Sequence, residues 1–170
     1  MIQVGDSLPA ATLFEFAATE ANGCHLGPNP VDVQQAAAGK TIALFAVPGA
    51  FTPTCSTKHL PSYLAQYDAL KAAGVDEIWC VSVNDVFVMH AWGLEKQTEG
   101  KIRMLADGDA AFAKATGLTL DLNGKGLGLR SNRYSMLLRD GKVAALNVES
   151  PSQFDVSDAD TMLGQIKRGV

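Results

Sequence analysis

The residues best placed to do chemistry are Pro48, Thr52 and Cys55, spaced P-x-x-x-T-x-x-C inside the stretch AVPGAFTPTCS (46–56). The cysteine follows the apolar run TIALFAV and stands where an amphipathic segment begins. Backbone N–H groups in a helix's first turn lack an acceptor within the helix, and the dipole is positive there, so a thiolate is favoured at such a position. Pro48 and Pro53 stiffen the loop through their fixed φ, while Thr52 and Thr54 supply hydroxyls beside the sulfur. A lone cysteine is otherwise a small buried apolar residue, and packing alone gives no use for this setting. Two redox chemistries divide on one residue. Dithiol–disulfide exchange needs C-x-x-C, and no second cysteine lies at that spacing from Cys55. Attack on a peroxide oxygen needs one thiolate, which becomes a sulfenic acid.

Other candidates weigh less. Arg133 opens an apolar strand-like run, and by itself reads equally as a surface salt bridge or as a cation for an anionic pocket. Arg130, three residues earlier, is expected to pair with an acid near its loop. His59 is four residues after Cys55, one helical turn along, and so can lie near the sulfur. His25, His59 and His90 show no metal-ligand spacing with one another or with Cys24, so no metal site is expected. The Gly-rich loop 121–132 lacks the Lys-Ser/Thr that ends a phosphate-binding loop, and it is expected to be mobile.

The elements that must position Cys55 follow from pattern. Residues 40–47 form a short apolar run ended by Pro48-Gly49 and predict a buried strand. Leu60, Tyr63, Leu64, Tyr67 and Leu70 recur at steps of three and four, predicting one amphipathic helix from Cys55 to about Ala73, stopped by Gly74. Strands are predicted at 75–83 and 101–107. Helices are predicted after an Asn84 or Asp85 cap and over 108–117, the latter stopped by Gly117. Asp140-Gly141 predicts a hairpin turn within 133–149. Ser157 is the expected cap of a last helix carrying Lys167 and Arg168 at its C-terminal end. The order predicts a single α/β domain over 1–170 with a central mixed sheet flanked by helices.

Composition limits the function classes. The 170 residues carry 14 basic and 18 acidic side chains, net −4, without a basic stripe, which argues against a nucleic-acid binder. No apolar run approaches the roughly 18–20 residues of a membrane helix, and the first residues carry no secretory-signal pattern. Three cysteines at wide spacing, Cys24, Cys55 and Cys80, suit a reducing compartment, so a cytoplasmic location is expected.

Several separated motifs resemble one family in the same order. VPGAFTPTCS, HLPSYL, VSVND, AWG, RYSM and DGKV with LNVE are similar to the type II, peroxiredoxin-5-like subfamily of the peroxiredoxins, from VGD at 4–6 to the last helix. The resemblance implies a thioredoxin-like fold and a thiol peroxidase acting on hydrogen peroxide and small alkyl hydroperoxides, with no cofactor. It implies that Cys55 is the peroxidatic cysteine, that Thr52 orients thiolate and peroxide, that Pro48 shields the sulfur from water, and that Arg133 completes the pocket. It also implies a homodimer in which the loop around the active site takes part, leaving Phe51 exposed in a lone subunit.

One departure bears on recycling. Relatives of the atypical two-cysteine kind carry a resolving cysteine near the C-terminus, and residues 148–170 contain none. Cys80 matches a cysteine proposed as resolving in some relatives, yet its apolar strand favours a packed core thiol. Cys24, in the turn-rich ANGCHLGPNP, has no clear counterpart and is expected to be exposed. A one-cysteine cycle is therefore expected, with glutathione attacking the sulfenic acid and glutaredoxin or thioredoxin removing the mixed disulfide. The alternatives are a redox-sensing or chaperone-like thiol protein with little turnover, and a disulfide reductase, which the missing C-x-x-C disfavours.

Overall fold

A computed structural model describes residues 1–19 and 25–170. Cys24 lies outside the described residues. Two N-terminal strands not anticipated from the sequence, β1 (Thr12–Thr19) and β2 (His25–Asp32), pair antiparallel. Pro28 and Pro30 disguise β2 as loop, and it tolerates them because it is the sheet's edge strand. Asp32 then caps α1 (Val33–Ala37), its carboxylate accepting from the N–H groups of Gln34 and Gln35.

The centre of the sheet is parallel: β3 (Thr41–Val47) pairs with β4 (Glu77–Ser82), which pairs with β5 (Ile102–Ala106). On the far side of β3 the hairpin β8 (Tyr134–Arg139) and β9 (Lys142–Val148) adds antiparallel strands. The seven-strand order is β2-β1-β5-β4-β3-β8-β9, a mixed sheet with helices on both faces, as expected. Asp140 and Gly141 both take positive φ, as a tight hairpin turn requires.

Alternation along β3 divides the core. Ala43, Phe45 and Val47 face one layer with Cys55, Tyr63, Cys80 and Trp92, while Ile42, Leu44 and Ala46 face the other with Trp79, Phe112 and Tyr134. All six, residues 42–47, are fully buried, which is why the run reads as continuously apolar.

The single helix predicted from Cys55 to Ala73 is three pieces. A π-helical turn, Cys55–His59, leads into α2 (Leu60–Ala65), and α3 (Tyr67–Ala72) follows a break at Gln66. Asp85 caps α4 (Val86–Lys96), and Gly117 ends α5 (Ala111–Thr116) with φ +71°. The loop 121–132, expected to be mobile, contains part of a second small sheet, β6 (Thr119–Leu122) against β7 (Gly128–Ser131), with positive φ at Gly124, Gly126 and Gly128. The cap of α6 (Ala159–Lys167) is Asp158 and not Ser157. Ser157 is engaged elsewhere, with consequences for the site. None of the helices in the described residues is long and apolar enough to cross a membrane.

Candidate active site

Register brings the site together. β8 runs antiparallel to β3 with Ala46 opposite Tyr134, so Arg133 lies beside the point where the chain leaves β3 for Pro48. The turn 48–54 is held from below by Asn84, whose Oδ1 accepts from the Ala50 N–H at 2.9 Å and from the Ser82 hydroxyl at 2.6 Å. Phe51 takes φ +62°, a left-handed conformation that a side chain rarely adopts, and is 48% exposed. Gly49 packs closely here: a Cβ would come within 3.0 Å of Thr52 Cγ2 and 3.4 Å of Arg130 Nη1. Local backbone strain of this kind concentrates at functional sites.

Cys55 opens the π-turn. The Ser56 N–H bonds the Thr52 carbonyl at 3.0 Å, and the Leu60 N–H reaches back to the Cys55 carbonyl, one residue wider than an α-helix. Such π-turns recur at functional positions because they re-aim a side chain without ending the helix. The Trp92 indole N–H donates to Ser56 Oγ at 3.0 Å, tying α4 to the residue after the cysteine. Cys55 is fully buried.

Arg133 arrives from 78 residues away and donates through Nη2 to the Cys55 sulfur at 3.3 Å. Its Nη1 lies 3.1 Å from His59 Nδ1, and its guanidinium stands over the Phe154 ring at 5.9 Å. The His59 Nε2 faces the Ser157 carbonyl at 3.0 Å. A carbonyl only accepts and a guanidinium only donates, so the ring is neutral with its proton on Nε2. Burial first, then the nearby Arg133 charge, push the His59 pKa down to about 3, consistent with that tautomer. Sequence spacing put His59 near the sulfur; its hydrogen-bond partners are the Ser157 carbonyl and the arginine.

Of the residues singled out in the sequence, Arg133 meets Cys55 and His59 here, and Thr52 and Arg130 make other contacts. The Thr52 hydroxyl donates to the Gly49 carbonyl at 2.7 Å, shaping the turn one step before the cysteine. Arg130 does not pair with an acid: it donates to the carbonyls of Leu127 (2.7 Å) and Val83 (3.1 Å), pinning β7 to the end of β4. Cys80 is buried on β4 in the same core layer as Cys55, and burial, with the neighbouring Cys55 adding to it, pushes its thiol well above the ordinary range. A groove of about 510 Å³ between α3, α4 and β5 is lined by residues such as Tyr67, Leu94 and Arg103 and includes none of the residues around Cys55. Among the described residues no group of three or more His, Cys, Asp or Glu could hold a metal.

Sequence reasoning missed Glu149 and Ser157. One carboxylate oxygen of Glu149 accepts from Asp155, Val156 and Ser157 N–H groups and the Ser157 hydroxyl, at 2.8–2.9 Å. Ser157 had read as a helix cap, and its real partners are distant in sequence.

The Redoxin family pattern matches residues 3–163. Peroxiredoxin-2B of Arabidopsis thaliana is 46% identical over 162 residues, covering 95% of this chain and 96% of that protein. The crystal structure of reduced Prx3 from Vibrio vulnificus in complex with H2O2 shares 51% identity and a TM-score of 0.90, covering 98% of this chain and 99% of that one. Peroxiredoxin 5 from Alvinella pompejana shares 34% identity and a TM-score of 0.83 across 99% of both chains. The strand order, the buried cysteine under an arginine and these likenesses converge: the chain belongs to the Redoxin family and, within it, to the peroxiredoxins, as a thiol-dependent peroxidase of thioredoxin-like fold.

Proposed function

We propose that Cys55 is the peroxidatic nucleophile of this domain, with Arg133, Thr52 and Pro48 as its immediate machinery, acting on hydrogen peroxide and small alkyl hydroperoxides. The observation that carries the reading is the Arg133 Nη2 donating at 3.3 Å to the fully buried Cys55 Sγ. The Cys55 thiolate attacks one peroxide oxygen. An S–O bond forms as the O–O bond breaks, sulfur is oxidised to a sulfenic acid, and the departing RO⁻ takes up a proton as water or an alcohol. Planar guanidinium donors suit negative charge that shifts from sulfur to the departing oxygen. Thr52, in the turn one step before the cysteine, offers hydroxyl lone pairs to a peroxide proton, and Pro48 caps the end of β3 against water.

Recycling follows a one-cysteine cycle in this reading. Glutathione attacks the sulfenic sulfur, releasing water and leaving a mixed disulfide, which glutaredoxin or thioredoxin then reduces by thiol exchange. The protein works as a homodimer in the cytoplasm. Support for the dimer is the exposed Phe51 beside the site, and support for the external thiol is the burial of Cys80. Cys55→Ser should abolish peroxide consumption in a coupled assay with glutathione–glutaredoxin and with thioredoxin, while Cys24→Ser and Cys80→Ser keep most of it. Undiminished turnover by Cys55→Ser would remove the assignment. A long-lived sulfenic acid that neither reductant clears would favour a redox sensor instead.

A further inference from the structure

Arg133 is held at its far end by a chain of contacts that begins at a carboxylate outside the pocket. Glu149, the first residue after β9, stands opposite Arg133 across the strand ends, its N–H bonding the Arg133 carbonyl at 3.0 Å. Its Oε1 gathers the N–H groups of Asp155 (2.9 Å), Val156 (2.8 Å) and Ser157 (2.8 Å) and the Ser157 hydroxyl (2.8 Å). Four donors on one oxygen need a full negative charge to satisfy them. Burial raises the Glu149 carboxyl, but the hydrogen bonds from Val156, Ser157 and Asp155 outweigh it and keep it below its ordinary value.

The clasped turn presents the Ser157 carbonyl inward. That oxygen accepts from His59 Nε2 at 3.0 Å and from the Tyr63 hydroxyl at 3.1 Å. The proton on Nε2 leaves the Nδ1 lone pair for Arg133 Nη1 at 3.1 Å. The same turn begins just after Phe154, whose ring lies 5.0 Å from the His59 ring and covers Arg133. Were the Ser157 carbonyl to move away, the imidazole could place its proton on Nδ1. An N–H would then face the guanidinium, two donors opposed, and Arg133 would turn from the sulfur.

We propose that Glu149 is a positioning residue for the peroxidase reaction: by clasping residues 155–157 it fixes the His59 tautomer, and through His59 it holds the Arg133 guanidinium against Cys55. This rests on the reading of Arg133 as part of the reacting site.

The test is a double-mutant cycle on the intact chain. Second-order rate constants for oxidation by hydrogen peroxide are measured for wild type, Glu149→Ala, Arg133→Ala and the double variant, and the His59 ring nitrogens are followed by NMR. Glu149→Ala should slow oxidation at least tenfold, and should slow it no further when Arg133 is already alanine, because the two act on one contact. The ring nitrogens should shift from a single Nε2–H form to a mixture. Equal losses in both backgrounds, or an unchanged rate with an unchanged tautomer, would overturn the proposal. If Glu149→Ala does not fold, Glu149→Gln carries the same cycle: it keeps an acceptor oxygen but loses the charge, and a rate and tautomer identical to wild type would likewise overturn it. A wild-type rate in Arg133→Ala would instead strike at the site assignment itself, which separates the two failures.

Discussion

The Arg133 guanidinium bridges two groups on one turn of helix: Nη2 lies 3.3 Å from the Cys55 sulfur and Nη1 lies 3.1 Å from His59 Nδ1. Positions 55 and 59 stand one helical turn apart and so share a face, each offering an electron pair to a single planar fork. An ammonium group has no such fork, so Lys at 133 could not hold both partners in plane.

Arg133→Ala and Arg133→Lys are therefore expected to be similarly impaired. Removing a preformed donor to developing charge costs on the order of 10²- to 10³-fold in rate. Stopped-flow peroxide oxidation would measure it, and a Lys variant within a few-fold of wild type would show that charge alone suffices.

His59 also sets a pH dependence of stability. Its pKa is near its ordinary 6.5 when unfolded and about 3 when folded. Between those values the unfolded chain binds a proton that the native protein refuses. Stability is thus fully present above about pH 6.5 and declines as pH falls toward 3, by about 1.4 kcal/mol per pH unit for one proton. Glu77 adds a loss lower down. Its burial opposes ionisation, but Lys40, Trp79 and Arg103 outweigh that and hold its pKa at about 2. Unfolding free energies from denaturant melts at pH 7.5 and 5.0 should differ by about 2 kcal/mol in wild type. In His59→Asn, which keeps a donor and an acceptor but does not titrate, the difference should largely disappear.

How much of this was legible in the sequence varies by the range of the interaction. Local patterns placed β3, β4, β5, the β8–β9 hairpin and the helices at 86 and 111, because apolar runs, Asp85 and Gly117 act within a few residues. The β1–β2 hairpin was hidden by prolines that only an edge strand admits. The meeting of Arg133 with Cys55 was to be expected only through the family resemblance, since a contact 78 residues apart leaves no trace in spacing. Arg130 misled for the opposite reason: backbone carbonyls, its actual partners, are present everywhere and signalled nowhere. Ser157 lost the cap to Asp158 because Glu149 claims both its N–H and its hydroxyl.

Phe51 offers a test of the proposed homodimer. It holds φ +62° with 48% of its surface exposed, beside Trp92 at 6.4 Å between ring centroids. A monomer gains nothing from that arrangement, whereas a second subunit covering the ring would offset the strain. Light scattering at micromolar concentration should give about twice the 17.9 kDa chain mass. Phe51→Gly should relieve the left-handed backbone by about 1 kcal/mol while shifting the protein toward monomer. A wild-type monomer in both reduced and oxidised states would contradict the pairing.

The fate of the oxidised sulfur tests the burial of Cys80. Both Cys55 and Cys80 are fully covered and share one core layer, yet Cys80 sits in mid-strand between Phe45 and Met104. Thiol exchange requires an attacking thiolate, and burial pushes the Cys80 thiol well above the range where one forms. A disulfide would also need Cα atoms within about 7 Å and side chains turned toward each other inside a packed core layer. An external thiol faces a smaller obstacle, since the 150–157 segment beside Arg133 lies outside the sheet and carries no strand ladder. One equivalent of peroxide should therefore leave a sulfenic acid at Cys55 that dimedone traps and glutathione converts to a single adduct, seen by intact mass. A rapid loss of two hydrogens with a Cys55–Cys80 linked peptide would mean that β4 opens on the timescale of turnover, and a Cys24-linked peptide would assign resolution to the residue outside the described structure.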